Sequence, residues 1–367
     1  MFGGFVGFAY LCRLMKPTND LNIRKSVAIL VLAATFAACS GDSTDTPANG
    51  YNDGPTNPSG EAGEIRVNAD VLRTMEGRRA ATFSYATDLQ DQDLKISAYF
   101  HGKDVAYITD AKLHYDSSDP SPSWKFWSGG AETHYYWPIE GSVYDPSSAN
   151  IPVSSFDFLG YCPYTTPDYI SSLTYNYSTG VSFSCNMSSY FTGAAQGSMT
   201  EFVYAYLENQ TYSNQVTEGG SLPLTFQHPF ARIKLQLAAS HPNITINSIT
   251  FRSIKNNGNY DHSASPKWST SGDATNFVLS LTGDAADFDD NTASPTQIGS
   301  DFIMIPQNWT GEIVVNADCL FWGNKVNYPS LTTTIPTDWQ PGYSYTYTFN
   351  ISPDDLIVNI SKYTEQW

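Results

Sequence analysis

The stretch from Tyr343 to Ile351 has a strict period of two, and it constrains the fold of this chain more than any other feature. Tyr, Phe and Ile alternate there with Ser, Thr and Asn. Such alternation places apolar side chains on one face of a β-strand and polar ones on the other. Similar runs occur at residues 64–72 and 233–237, and long helical periodicities are absent. The 24 Tyr, 20 Phe and 8 Trp also favour strands.

Further short strands are predicted between clusters of Pro, Gly, Asn, Asp and Ser. They span residues 94–100, 105–108, 111–115, 155–161, 202–206, 302–305, 313–315, 320–322 and 356–361. Two packed antiparallel sheets per domain is the simplest architecture for such a set. The polar stretch 208–220 lacks a periodic signal, so we place a boundary there. We therefore predict an all-β chain with two tandem β-sandwich domains, residues 63–220 and 221–367.

The residues around Cys39 are typical of a bacterial lipoprotein signal. Basic residues precede an apolar run at 27–36, and small residues lead into Cys39. The run is shorter than the ~20 apolar residues that span a bilayer. We predict a signal peptide at 1–38, with translation starting at Met15, and lipid attachment to Cys39. An ordinary secretory signal with an incidental cysteine is the alternative.

The acidic balance of the chain excludes some partners. The whole chain has 19 Lys+Arg and 36 Asp+Glu. Residues 1–38 hold four basic residues and one acidic residue, so the remainder has 15 and 35, a formal charge of −20. Nucleic-acid binding needs clusters of Lys and Arg, so it is not expected. A strongly acidic surface suits a soluble, exposed protein.

Residues 39–62 are rich in Ser, Gly, Asp, Pro, Asn and Thr, which predicts a flexible tether. The first strand follows at residues 64–72. It has one apolar face, formed by Ile65, Val67, Ala69 and Val71. The polar stretch after it contains Gly77 and ends in Arg78 and Arg79, so it is expected to be an exposed loop.

The sequence offers little catalytic or metal-binding chemistry. None of the common hydrolase, P-loop, zinc or dinucleotide motifs is present, and the six His have no ligand spacing. We expect no enzyme activity, cofactor or metal, and a structural role for His228. The acidic run at 284–290 is expected to be a solvated loop, with calcium as the alternative. Cys162, Cys185 and Cys319 are expected to be buried thiols, with a Cys162–Cys185 disulfide as the alternative.

Several short segments follow one another in a definite order along the chain. They are residues 135–138 (Tyr-Tyr-Trp-Pro), 156–163 (Phe-Asp-Phe-Leu-Gly-Tyr-Cys-Pro), 224–233 (Leu-Thr-Phe-Gln-His-Pro-Phe-Ala-Arg-Ile), 305–307 (Ile-Pro-Gln), 339–346 (Trp-Gln-Pro-Gly-Tyr-Ser-Tyr-Thr) and the terminal 365–367 (Glu-Gln-Trp). Taken in this order, with Cys39 ahead of them, these segments resemble the fimbrillin-like lipoproteins, the subunits of type V pili.

The resemblance implies transthyretin-like sandwiches and export as a lipoprotein to the cell outer membrane. It also implies that an Arg-specific protease removes the first strand, here after Arg79 or Arg78, with Arg66 and Arg73 as further candidates. A C-terminal strand of another subunit then fills the gap, and a cell-surface fimbrium grows that supports adhesion. The donor residues in this chain would be Leu356, Val358 and Ile360. The implied partners are other pilus subunits, and a host or glycan ligand.

A surface glycan-binding lipoprotein is the rival interpretation, because it would share the anchor, the tether and the β-sandwiches. It would need an exposed aromatic platform and no cleavage of the first strand. Trp124, Trp127 and Trp137 could form such a platform, although core and rim positions are the expectation in a β-rich stretch.

Cys39→Ser should abolish lipid attachment and surface delivery, because the acyl chains are added to the thiol of this residue. The measurement is metabolic labelling with palmitate, together with surface proteolysis of intact cells. A Cys39→Ser protein that still incorporates palmitate would show that the lipoprotein interpretation is wrong.

Overall fold

The computed structural model describes residues 63–71, 89–138, 143–144, 151–152, 155–191, 199–283, 286–289, 292–352 and 356–366. Nearly all of the regular structure is β, which confirms the predicted class. The strands are β1 Val67–Val71, β2 Leu94–Phe100, β3 Ala106–Asp116, β4 Ser123–Ser128, β5 Ala131–Thr133, β6 Val143–Tyr144, β7 Ile151–Pro152, β8 Phe156–Cys162, β9 Ile170–Asn176, β10 Gly180–Asn186, β11 Val203–Gln210, β12 Leu222–Phe226, β13 Ala231–Leu237, β14 Asn243–Asp261, β15 Trp268–Ser280, β16 Asp287–Phe288, β17 Thr296–Gln297, β18 Phe302–Met304, β19 Asn308–Trp309, β20 Glu312–Phe321, β21 Asn324–Thr334, β22 Thr337–Asp338, β23 Tyr343–Ile351 and β24 Leu356–Gln366.

One short α-helix, α1 (Tyr212–Thr217), lies in the polar stretch between β11 and β12. It begins with a capping box: the Asn214 backbone N–H donates to Thr211 Oγ1, and the Thr211 backbone N–H donates to Asn214 Oδ1. A 3₁₀ turn covers Ser188–Tyr190. Of the helices in the described ranges, none has the length and apolar character needed to cross a membrane.

Three larger sheets carry most of the strands. A six-stranded sheet has the order β11-β8-β2-β3-β4-β5. A seven-stranded sheet has the order β21-β20-β14-β10-β9, with β15 and β16 also pairing with β14. A five-stranded sheet has the order β17-β13-β23-β24, with β18 also on β13. Smaller two-stranded pairs are β1-β12, β6-β7 and β19-β22.

The buried side chains form two clusters. The strand-1 core contains the inward residues of β1, β2, β3, β4, β8 and β12. The larger core contains those of β9, β10, β13, β14, β18, β20 and β23. Strand β11 contributes to both, because Val203 and Ala205 face the strand-1 core and Tyr204 faces the larger core.

The two cores do not divide at residue 220, the predicted domain boundary. Strands β9 and β10 precede it but join the sheet of β14, and β12 follows it but packs in the strand-1 core. The polar stretch that suggested a linker ends β11 and forms α1. The polar composition of this stretch does not separate the two cores. Strands that precede it in sequence belong to the larger core, and a strand that follows it belongs to the strand-1 core. The tandem arrangement over 63–220 and 221–367 therefore stays a prediction.

Two strands that the sequence analysis divides are continuous. Polar residues at Thr109 and Asp110 interrupt the apolar pattern, yet β3 runs through them with a bulge. Asp110 takes φ of 50°, a conformation that Asp adopts more readily than most residues. Strand β20 is likewise continuous across a register shift between Val315 and Ala317. A bulge changes the local alternation of side chains without ending the strand. A sequence window of a few residues therefore predicts a strand end at that point.

The three cysteines after Cys39 are buried and free, as expected. Burial raises the pKa of the Cys162 and Cys185 thiols well above the usual value, and raises that of Cys319 to about 11. Because the thiolate is the reactive form, these side chains act as small apolar residues in the two cores.

Candidate functional site

The first strand completes the strand-1 core. Ile65, Val67, Ala69 and Val71 are between 1% and 5% exposed, and the residues between them face outward. They pack with Leu222, Leu224 and Phe226 and with the inward residues of the six-stranded sheet. At about 1.5–3 kcal/mol for each fully buried aliphatic side chain, this face contributes substantially to the stability of the core. A segment near the start of the described chain is thus an integral part of the core.

The backbone of the first strand is held on one edge by β12. The two strands are parallel, with Val67 opposite Leu222 and Val71 opposite Phe226. The N–H of Leu222 donates to the carbonyl of Arg66 over 2.8 Å. This bond shows which residues of the first strand direct their backbone groups toward β12. Even-numbered residues of the first strand therefore direct their backbone groups toward β12.

The side chain of Gln215, on α1, continues this edge beyond the start of β12. Its Nε2 donates to the carbonyl of Glu64 over 2.8 Å, and its Oε1 accepts from the N–H of Arg66 over 2.9 Å. The same oxygen accepts from the indole N–H of Trp137 over 2.9 Å. Gln215 is buried, so its amide pairs with the strand as a backbone peptide of a neighbouring strand would.

Among the described residues, partners on the opposite edge of the first strand are found only at its start. The N–H of Ile65 donates to the carbonyl of Tyr135, and the N–H of Trp137 donates to the carbonyl of Gly63, both over 2.7 Å. The Tyr-Tyr-Trp-Pro segment at 135–138 therefore holds the start of the first strand in place through backbone hydrogen bonds. Trp137 also packs edge-on against Phe156 and Phe158 of β8.

Ion pairs surround the entry of the first strand. Glu64 contacts His134 Nδ1 at 2.5 Å and Arg66 Nε at 2.9 Å. Lys125 of β4 contacts Asp119 at 2.6 Å and Glu132 at 3.1 Å, and these two carboxylates raise the pKa of the lysine. Glu64, Glu132 and His134 bring potential metal ligands within 4.8 Å of one another. Because each of the two glutamates already pairs with a cation, we assign this group to ion pairing.

The last strand, β24, lies at the edge of the five-stranded sheet, where its one described neighbour is β23. Phe349 is opposite Val358 and Ile351 is opposite Leu356. Val358 is half-buried against the larger core, whereas Ile357 is 50% exposed. Leu356 and Ile360 are placed by their backbone in the same strand. In this arrangement the predicted donor strand pairs within its own chain, and its donor role stays a prediction.

Other residues singled out from the sequence have these positions. Cys39, Arg78 and Arg79 lie outside the described residues. Trp124 and Trp137 are buried and Trp127 is half-buried, so they form no exposed aromatic platform. His228 is buried with its Nδ1 2.7 Å from Glu201, as expected of a structural residue. In the acidic run, Asp287 is exposed and accepts a hydrogen bond from Thr245.

The sequence analysis missed Gln215, which it placed inside a polar linker. The signal that could have found the helix is Thr211 followed three residues later by Asn214, a capping pattern. No local pattern marks a glutamine that pairs with a backbone 149 residues away.

The fimbrillin-like family model matches residues 86–367. The chain belongs to the fimbrillin-like family. The fimbrillin-like chain is also similar, at low identity, to several solved structures. A candidate cell adhesion protein from Bacteroides uniformis is 13% identical, with 82% of this chain and 98% of that chain covered and a TM-score of 0.47. The tip fimbrial protein Mfa3 from Porphyromonas gingivalis is 9% identical, with 82% and 99% covered and a TM-score of 0.40. No curated protein matches the sequence.

Gln215→Leu should loosen the first strand of this fimbrillin-like chain. It leaves the Glu64 carbonyl, the Arg66 N–H and the Trp137 indole N–H without their partner, which we expect to lower the free energy of unfolding by about 2–4 kcal/mol. Chemical denaturation measures the loss, and hydrogen exchange should show faster exchange of the Arg66 amide.

The matched control is Gln236→Leu, because the one side-chain hydrogen bond described for Gln236 is its donation to the Thr348 hydroxyl in the five-stranded sheet. It should change stability by less than about 1 kcal/mol. Equal losses for the two leucine variants, with an unchanged Arg66 amide, would contradict the role given to Gln215.

Proposed function

We propose that this fimbrillin-like chain is a structural subunit of a cell-surface type V pilus. It is exported as a lipoprotein through Cys39, cut after its first strand at Arg79 or Arg78, and polymerised by strand exchange with other copies or related subunits. The observation that carries the proposal is the first strand itself. It fills a core with four apolar side chains, yet β12 is the one described strand that pairs with β1.

The energetics of the first strand favour exchange over simple loss. Removing it exposes an apolar groove and the unpaired backbone groups of β12. A donor with three or four aliphatic side chains regains roughly 5–10 kcal/mol of gross burial, at about 1.5–3 kcal/mol each. A donor backbone also restores the ladder with β12, which is the mode known as β-augmentation. Binding of a donor strand to the empty groove is therefore expected to be strongly favourable.

The position of β24 supports its role as donor. An edge strand with one neighbour can leave its sheet without breaking two ladders. Val358 is half-buried and its neighbour Ile357 is exposed, so the strand has a distinct inward face. That face matches the apolar face of Ile65, Val67 and Val71 in chemistry.

The backbone of Arg66, one of the candidate cleavage sites, is held by hydrogen bonds on the β12 side, which supports a cut farther along the chain. Its N–H is bonded to Gln215 and its carbonyl to Leu222, although its side chain is exposed. A protease must bind the backbone around the scissile bond in an extended conformation in its active site. A backbone that is hydrogen-bonded to a neighbouring strand is not free to do so. Arg78 and Arg79 follow the end of β1 at Val71.

Replacing both Arg78 and Arg79 by Ala should leave a full-length protein that stays monomeric, because the first strand remains in its groove. Incubation with a trypsin-like protease, followed by unboiled gels and N-terminal sequencing, measures the outcome. The unsubstituted protein should yield a fragment beginning at Ala80 and a ladder of polymers. Polymers of normal length from the double variant would place the cut elsewhere.

Val358→Asp should block polymerisation of the cleaved protein, because a carboxylate would enter an apolar groove at a cost of several kcal/mol. Ile357→Asp is the matched control, since this side chain lies on the opposite face of β24 and is half exposed. Both proteins are compared by size-exclusion chromatography below their melting temperatures. Equal polymer yields from the two variants would show that β24 is not the donor.

A further inference from the structure

A groove lies between the hairpin of β14 and β15 and the two segments that contain β19 and β22. It has a volume of about 870 Å³, which is within the range of pockets that hold small ligands. The hairpin side of its lining consists of Lys255, residues 262–268 and Thr270, and the other side consists of residues 306–308 and 338–341. We call it the lysine groove. No described residue of the first strand or of β24 lines it.

Hydrogen bonds hold the two sides of the lysine groove in place. Gln307 Oε1 accepts from the backbone N–H of Lys255 over 3.0 Å, and Gln307 Nε2 donates to the Lys255 carbonyl over 2.9 Å. The hydroxyl of Tyr345 accepts from the backbone N–H of Gln340 and donates to the carbonyl of Asp338, both over 2.8 Å. The walls are therefore formed in the free protein, so a ligand does not have to order them.

Two tryptophans give the lysine groove part of its apolar lining. The indole N–H of Trp268 donates to the carbonyl of Pro229, and that of Trp339 donates to the hydroxyl of Tyr347, so both polar atoms already have partners. The two residues are at most 6% exposed, which is too little for a sugar ring to stack on an indole face. Further apolar surface comes from Pro266, Pro306 and Pro341.

Three side chains that can carry a positive charge also line the groove, namely Lys255, His262 and Lys267. The chain has 19 Lys+Arg against 36 Asp+Glu, so a carboxylate is within reach of most cations. Lys112 and Lys325, for example, each contact an aspartate. Among the described residues, by contrast, no carboxylate forms an ion pair with Lys255 or Lys267. A group of cations without anionic partners is therefore unusual for this chain.

Lys267 is the cation in the groove that an anionic ligand would stabilise most. It is half-buried, and burial lowers the pKa of its ammonium group because less water is available to stabilise the charge. Burial likewise lowers the pKa of His262, and the charge of Lys267 lowers it further, whereas Asp261 acts in the opposite direction. An anion bound beside Lys267 would stabilise the charged forms of both side chains.

The other charged groups of the lining already have partners. Lys255 Nζ donates to the carbonyl of Gly272. Asp338, the carboxylate in the lining, is exposed and accepts a hydrogen bond from Gln340 Nε2. For the ammonium group of Lys267, no hydrogen bond is found within the described part of the chain. The position beside Lys267 is therefore where the groove can accept a negative group.

We propose that the lysine groove binds a small apolar anion, such as an aromatic carboxylate, with its negative group beside Lys267 and its apolar part against the tryptophans and prolines. Two features select this class of ligand. The unpaired lysine favours a negative charge over a neutral polar group, and the hydrocarbon surface of the lining favours an apolar body over a sugar. The site is separate from the strand exchange proposed above, so binding requires neither cleavage nor a second copy of the chain.

The test uses the full, uncut chain carrying Arg78→Ala and Arg79→Ala, with the fluorescent anion 8-anilinonaphthalene-1-sulfonate as the probe. Its fluorescence should rise saturably with protein concentration. Lys267→Met removes the charge but keeps an apolar side chain of similar length, and should weaken binding about tenfold. Lys103→Met is the matched control, because Lys103 is exposed in the turn between β2 and β3 and does not line the groove. It should leave the affinity unchanged.

A neutral probe separates the charge from the apolar contact. N-phenyl-1-naphthylamine has the same rings without the sulfonate, so it should bind about tenfold more weakly and equally well to the Lys267→Met and Lys103→Met proteins. Benzoate should displace the anionic probe, whereas its neutral analogue benzamide should not.

A blocking substitution locates the binding site. Thr270→Trp places a large side chain in the groove and should abolish binding of the anionic probe. Ser269→Trp is the matched control, because Ser269 is equally exposed but points to the other side of β15 and does not line the groove. Melting temperatures check that both proteins are folded, and if Thr270→Trp does not fold, the Lys267→Met and Lys103→Met pair decides alone.

Several results would overturn the anion site. They are the absence of saturable binding, equal affinities of the Lys267→Met and Lys103→Met proteins for the anionic probe, equal binding of the two probes, displacement by benzamide as readily as by benzoate, and undiminished binding to a folded Thr270→Trp protein. Weaker binding to Lys267→Met alone among the lysine variants, confined to the anionic probe, supports the site.

Discussion

The parallel pairing of β1 with β12 determines much of the rest of the strand-1 core. Two strands more than 150 residues apart in sequence lie side by side, and their inward residues cover one face of the six-stranded sheet. A parallel pair cannot be closed by a short turn, and here the connection between the two strands contains the whole six-stranded sheet. The first strand is therefore both necessary to the core and joined to it by a non-local contact.

Side-chain hydrogen bonds extend this pairing where backbone pairing ends. Gln215 takes the place of a neighbouring peptide for Glu64 and Arg66, and Trp137 is bonded through both its backbone and its indole N–H. These contacts are buried, so each group depends on the others for its partner. Such a network holds one strand firmly in a folded monomer, yet the ladder to β12 can be rebuilt by any strand of suitable chemistry. That combination agrees with the strand exchange that we propose for this chain.

The same region explains why strand edges stay open next to the first strand. The segment from β5 to Trp137 changes partner, pairing first with β4 and then with Gly63 and Ile65. Among the described residues, the crossing leaves part of one edge of β1 and part of one edge of β4 without a paired strand, and the indole N–H of Trp124 without an acceptor. Exposed strand edges invite pairing with another chain, and natural proteins usually cover them. In a fimbrillin-like chain such an edge fits an assembly role.

The sequence alone determined the class of the fold and the inward face of several strands. The alternation at Tyr343–Ile351 and the apolar face of Ile65, Val67, Ala69 and Val71 follow from the local geometry of a strand, in which successive side chains point to opposite sides. The bounds of β2 and β23 were also predictable, because clear breakers flank them. Irregularities at Asp110 and between Val315 and Ala317 concealed the true lengths of β3 and β20. A sequence window of a few residues cannot distinguish a local change in the alternation from the end of a strand.

Only the tertiary structure decided which strands are neighbours. Nothing local in Leu222–Phe226 tells that it pairs with the first strand, or that β9 and β10 join β14 across the predicted boundary at residue 220. The role of Gln215 and the groove beside Lys267 likewise depend on groups that are distant in sequence. Periodicity reports the backbone of one segment, whereas pairing and burial depend on how all segments fill a common core.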